Sequence, residues 1–203
     1  TLPTLKQYWP VGITPNTRQW IDRNLNGGGL YDLRFELHLA GPTLDALDAA
    51  DARLTTELRG VAVKYMREMP EIEDAAGLMT ISGSEAIFDM SSGHVPDAVS
   101  GRNLSIPSGR VRMYGLGGGS ERANIQLKIL GGFGDVMRLI DHPPLGYARA
   151  VGLDASQTAG RADVDLTLDF PLINDPKLDQ LQFSVQAKAD DIGIPEVAFG
   201  LPL

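Results

Sequence analysis

Apolar and polar residues alternate without interruption from Tyr31 to Leu39, and this period of two limits the fold more than any other feature of the chain. Tyr31, Leu33, Phe35, Leu37 and Leu39 fall on one side, and Asp32, Arg34, Glu36 and His38 on the other. Successive side chains of a strand point to opposite faces, so the pattern predicts a half-buried strand with one wet face. The alternation returns late in the chain. Ala162, Val164, Leu166, Leu168 and Phe170 alternate with Asp163, Asp165, Thr167 and Asp169, and Leu181, Phe183, Val185, Ala187 and Ala189 keep the same period.

Further β-prone runs are expected at Arg53 to Tyr65, Gly77 to Ser82, Ala86 to Ser91, Leu104 to Ile106, Arg110 to Tyr114 and Ala123 to Leu130. Pro70, Gly83-Ser84, Ser92-Gly93, Pro107-Ser108-Gly109 and Gly117-Gly118-Gly119 stand between them and read as turns, a spacing that favours antiparallel hairpins. Two short amphipathic helices complete the pattern. The first covers about residues 15 to 25: Thr14 suits a cap, Pro15 the first helical position, and Asn26-Gly27-Gly28-Gly29 the stop. The second covers about residues 133 to 141, with Val136, Met137, Leu139 and Ile140 apolar and His142-Pro143-Pro144 ending it. The fold class that follows is mainly β, a long antiparallel curved sheet forming an open groove or half-barrel.

Laying Gly29 on Gly160 aligns the early strand with the late one, Tyr31 to Leu39 against Ala162 to Phe170. Amphipathic strands match one another in alternation whatever their origin, so this suggests, without requiring, repeat units at 1–130 and 131–203, the second incomplete. Residues 1–203 are read as one β-rich segment of a larger protein.

Chemistry is hard to place on these residues. The chain has no cysteine, and its three histidines, His38, His94 and His142, lie on a polar strand face, in a Gly-rich turn and before two prolines, without the spacing of a metal site. Gly115 to Ser120 lacks the last glycine of a dinucleotide fingerprint and precedes a strand-like run. Gly131-Gly132-Phe133-Gly134 lacks the Lys-Ser/Thr of a phosphate loop, and Ser82-Gly83-Ser84 lacks a nucleophile-elbow pattern. Asp163, Asp165 and Asp169 share one strand face, which reads as a solvated surface before it reads as a cation patch. No enzyme, cofactor or metal is expected. A net charge of -8 with no basic cluster argues against nucleic acid, and no run of eighteen uncharged apolar residues marks a membrane span.

What remains is the apolar face. A strand of about eleven residues spans roughly 36 Å. A second sheet, a helix or a lipid can cover such a face. Each buried methylene contributes about 0.8 kcal/mol, so an acyl chain of about sixteen carbons gains on the order of 10 kcal/mol before ordering costs.

Tyr8-Trp9-Pro10, Pro15 with Arg18-Gln19-Trp20-Ile21 and Leu25, the Gly27-Gly28-Gly29 break and the strand closing on Gly41-Pro42 together resemble the central and C-terminal region of AsmA-like proteins, in particular the large YhdP-type members of Gram-negative bacteria. The strand after Gly160 that ends in Phe170-Pro171-Leu172 is similar to the family's further strands. The likeness is strongest from Tyr8 to Pro42 and weak from Glu71 to Gly119. It implies a long protein held in the inner membrane by an N-terminal helix, with a periplasmic β-groove that carries phospholipid toward the outer membrane. It implies no catalytic residue. The lipid-contacting positions it implies are Tyr31, Leu33, Phe35, Leu37, Leu39, Val164, Leu166, Leu168, Phe170, Phe183 and Val185. The expected partners are phospholipid acyl chains and neighbouring segments of the same parent protein. The competing expectation is an envelope scaffold module whose β core is closed on itself.

Overall fold

The computed structural model describes residues 21–37, 52–65, 69–142, 159–173 and 178–193. Eight strands form one sheet: β1 (Leu25–Leu37), β2 (Ala52–Val63), β3 (Ile72–Ser82), β4 (Glu85–Pro96), β5 (Asn103–Tyr114), β6 (Arg122–Gly132), β7 (Ala159–Pro171) and β8 (Gln182–Gly193). Their order in the sheet is their order in the chain, and every neighbouring pair is antiparallel. The mainly β, antiparallel class expected from the alternation is the observed one. The sheet is open, with β1 and β8 as its two edges.

One helix, α1, spans Phe133–Asp141, matching the expected 133–141, and a 3-10 turn spans Leu178–Gln180. Residues 21–24 are helical, and the remainder of the helix expected at 15–25 lies outside the described residues.

The longest ladder has the simplest cause. β6 and β7 pair from Arg122↔Pro171 to Gly132↔Arg161 without a register shift, because both keep strict alternation. Ala123, Ile125, Leu127 and Ile129 thus stand opposite Phe170, Leu168, Leu166 and Val164 on one buried face. The two-residue turn Gly83–Ser84 closes the β3–β4 hairpin, with Gly83 at φ 56.

Elsewhere the alternation is broken by bulges. On β2 the buried positions run Leu54, Thr56 and Leu58, then step by three to Val61 and Val63, so that Arg59 and Gly60 both face outward. β3 steps by three from Ile72 to Ala75 across Asp74, β4 gains Ser91 relative to β3, and β5 gains a residue between Ser105 and Ser108 relative to β6. Neighbouring strands carry these irregularities side by side, toward the end of the sheet where α1 lies. A bulge bends its strand and raises the local twist, so a band of them across β2 to β5 curls the sheet around its apolar face. That curl explains how a single sheet encloses a core that includes Leu58, Met79, Phe88, Met113 and Ile125, all essentially without solvent contact.

Two expected turns are therefore corrected. Ser92-Gly93 lies inside β4 and Pro107-Ser108-Gly109 inside β5. Pro107 is tolerated there because a bulge leaves the ladder locally unpaired. The run from 71 to 114, where the sequence offered four shorter β-prone runs, forms three full strands, β3 to β5, the runs at Leu104 to Ile106 and Arg110 to Tyr114 being one strand. Gly77 belongs to this region for a steric reason: a Cβ on it would lie 2.0 Å from the carbonyl oxygen of Asp89 on β4.

Candidate lipid-facing lining

Register places each candidate residue on a face. Val164, Leu166, Leu168 and Phe170 of β7 point inward and are buried, Leu166 at 8% exposure and Leu168 at 1%. On β8, Val185 stands opposite Leu166 and Phe183 opposite Leu168, so both continue the same inner face. Because β8 is an edge, they are 42% and 44% exposed. At the other edge Phe35 stands opposite the buried Leu54 and is 56% exposed, with Leu33 at 50%. Leu37 ends β1 opposite Ala52, its side chain lying outside the described residues together with the whole of Leu39.

Tyr31 departs from the expected face. The β1–β2 register shifts between Tyr31 and Arg34, and Asp32 takes a left-handed φ of 48. One extra residue on β1 reverses the phase. Tyr31 thus stands opposite Glu57 on the outer face, while Leu30, opposite Leu58, packs against the core. The phenol ring is 48% exposed, with the Arg59 guanidinium 4.6 Å from its centroid. Arg59 also donates to Glu57 through two bonds of 3.0 and 2.7 Å. At this bulge Thr56 Oγ1 donates to the Tyr31 carbonyl oxygen at 2.9 Å. This accounts for a hydroxyl in the otherwise apolar inner face, since a buried polar group needs a partner.

The non-glycine residues with positive φ among those described are Asp32, Asp74 and Asp191, and each lies beside a register shift. Aspartate tolerates the left-handed region better than most side chains.

The outer face is charged and paired within itself. Asp169 accepts hydrogen bonds from Tyr114 Oη at 3.0 Å, Arg122 Nε at 2.8 Å and Asn124 Nδ2 at 3.2 Å. Burial pushes its carboxyl up, but these three donors outweigh burial and hold it below the ordinary carboxylate range. Lys128 bridges Asp163 and Asp165, Arg110 pairs with Asp89, and Arg112 with Glu85. The aspartates considered as a cation patch thus face protein cations. Among the described residues no group of three or more His, Cys, Asp or Glu is arranged to hold a metal ion.

His94 is corrected from a turn to β4, where its ring nitrogens lie 3.6 Å from Glu73 and 3.9 Å from Asp74 across the bulge. No described helix is long and apolar enough to cross a membrane.

Sequence reasoning also missed a charged cluster at the α1 end. Arg102 donates to both carboxylate oxygens of the buried Asp135 at 3.0 and 2.9 Å, and Arg138 reaches both Asp135 and Asp97. Asp97 and Arg102 flank the β4–β5 turn and Asp135 and Arg138 lie one helical turn apart on α1, so the fold brings together two local pairs that are 33 or more residues apart in the chain.

The lining therefore has two parts: a packed centre on β2 to β7 and exposed apolar margins on β1 and β8. Comparison with protein-family models, with curated proteins and with solved structures returns no match for this chain.

Proposed function

We propose that this chain is a non-enzymatic segment of a longer periplasmic protein, anchored in the inner membrane of a Gram-negative envelope, that guides phospholipid acyl chains toward the outer membrane along an apolar sheet face. One observation carries this reading: the apolar face runs across the whole open sheet and is uncovered at its margins, where Leu33 and Phe35 on β1 and Phe183 and Val185 on β8 meet solvent. Contiguous exposed apolar surface at a sheet edge is unfavourable in water and calls for a cover. Acyl chains provide it, each buried methylene contributing about 0.8 kcal/mol. The packed centre sets the curvature and the margins make the contact, with neighbouring segments of the parent protein continuing the sheet. The resemblance to AsmA-like proteins in the residues from Tyr8 to Pro42 supports the same reading.

The burial of Val164, Leu168 and Phe170 favours a second reading, a scaffold module of the envelope with a closed β core. Lipid extraction separates the two. Purified protein analysed by mass spectrometry is expected to release phospholipid in near-stoichiometric amount, and Phe35→Asp with Phe183→Asp to abolish it. Lipid-free wild-type protein, folded and prepared without detergent, would leave the scaffold reading in place.

A further inference from the structure

Six consecutive residues of β1, Tyr31 to Glu36, are exposed, and Tyr31, Leu33 and Phe35 among them are large and apolar. Among the described residues no strand lies beyond β1. An edge strand is a template for pairing with another chain, and natural sheets blunt it with bulges and charges. β1 carries both. Its bulge lies at Asp32, and the regular ladder resumes from Arg34↔Thr55 to Leu37↔Ala52. Its charges beyond the bulge are Arg34 and Glu36, on the outer face. Elsewhere on that face the charges are matched within the sheet, Arg110 with Asp89, Arg112 with Glu85 and Lys128 with Asp163 and Asp165. Arg34 and Glu36 form no ion pair with any described residue.

The span Leu33-Arg34-Phe35-Glu36-Leu37 is its own complement when reversed. Laid antiparallel on a second copy about a two-fold axis at Phe35, it sets Phe35 of each copy against Phe35 of the other and Leu33 opposite Leu37. Arg34 of each copy then stands opposite Glu36 of the other. Opposite charges on directly opposed residues favour a strand pair, and like charges disfavour it. The charges of β1 thus deter a foreign strand but admit one with the reverse charge order. A two-fold axis normal to the sheet makes each contact reciprocal and keeps both apolar faces on the same side. Phe35 gains an aromatic neighbour across the seam without leaving the inner face. The other edge offers no such match, because the outward residues flanking Phe183 and Val185 on β8 are Gln182, Ser184 and Gln186, all uncharged. Pairing β1 with that stretch of β8 would leave Arg34 and Glu36 facing amides and a hydroxyl.

We propose that β1 is a self-association edge, through which two copies of this chain pair antiparallel over Leu33 to Leu37 with reciprocal Arg34–Glu36 contacts, joining two eight-stranded sheets into one. The contact does not depend on what the inner face binds, and it leaves the β8 edge open. The bulge at Asp32 bounds the seam on one side. A seam of this length belongs with the small, transient interfaces, so its dissociation constant is expected at about 10–100 µM.

The test is analytical ultracentrifugation of the 203-residue chain, free of detergent, over a concentration series that reaches about 200 µM. Wild type is expected to pass from monomer to dimer with no larger species, and hydrogen exchange at residues 33–37 to slow as the dimer fills. Arg34→Glu alone, or Glu36→Arg alone, sets like charges against each other at both symmetric positions and is expected to weaken the dimer about tenfold or more. An equimolar mixture of the two variants restores opposite charges at both positions and is expected to recover the wild-type affinity as a heterodimer. Both residues are exposed, so each variant is expected to melt with wild type. Should one fail to fold, Arg34→Glu and Glu36→Arg combined in one chain decide, since together they restore the reciprocal pairs and self-association with them. A wild type that stays monomeric throughout the series, a dimer that neither substitution weakens, or a mixture that stays monomeric would each overturn the proposal. Open-ended oligomers would overturn it as well, because they require β1 to pair with a different edge and not with itself.

Discussion

Replacing Leu166 by Asp separates the packed centre of the sheet from its margins, and the structure sets the size of the effect. Leu166 faces inward between Leu127 of β6 and Val185 of β8 and is nearly buried. Losing its burial costs about 1.5–3 kcal/mol, and a carboxylate left there without a partner brings the total to about 3–5 kcal/mol even if it protonates. Phe35, half exposed at the β1 edge, leaves a hydrated carboxylate when changed to Asp and costs about 1 kcal/mol or less. In urea unfolding, with a slope of about 2 kcal/mol/M, Leu166→Asp is expected to lower the midpoint by about 2 M and Phe35→Asp by less than about 0.5 M, both with the slope unchanged. Equal and small shifts for the two would refute the argument, because they would mean that the centre of the inner face is as wet as its edge.

Thr56→Val removes the donor to the Tyr31 carbonyl while keeping volume, and is expected to destabilise by about 1–2 kcal/mol in the same urea assay. At the β1 bulge, Asp32→Gly should be close to neutral whereas Asp32→Val, β-branched at a left-handed φ, should cost about 1–2 kcal/mol by thermal melting. Asp169→Asn is expected to lower stability at pH 7. Because the folded carboxyl is held below its unfolded value of about 4, the wild-type advantage is complete above that pH and shrinks as pH falls through the folded value. Parallel stability curves for wild type and Asp169→Asn from pH 7 to pH 2 would contradict it.

Alternation alone made the strands β6, β7 and β8 legible, and helix-stop chemistry made α1 legible, because in each the local pattern agrees with the tertiary environment. The bulged strands were not legible for a definite reason. An extra residue in β4 or β5 inserts two consecutive outward positions, and Ser92-Gly93 or Pro107-Ser108-Gly109 at such a point has the same composition as a turn. The same effect moved Tyr31 to the outer face: a window on β1 shows unbroken alternation from Tyr31 onward, and only the left-handed Asp32 reveals the change of phase. Within the candidate lining, the inward positions of β7 and β8 followed from sequence, but their division into packed and exposed did not. Val164 and Val185 are alike in pattern and differ only in having a strand beyond them. The charged cluster at the α1 end was invisible for a simpler reason, since Asp97 and Arg138 meet only through the fold.

The central claim concerns which face meets lipid, and site-specific photocrosslinking in cells expressing the parent protein tests it most directly. Photoreactive residues at 35 and 183, inward at the two margins, are expected to capture phospholipid, while those at 36 and 184, outward on the same strands, remain unlabelled. Position 31 should also remain unlabelled, although simple alternation groups it with 35. Equal labelling of both faces, or none at 35 and 183, would contradict the account.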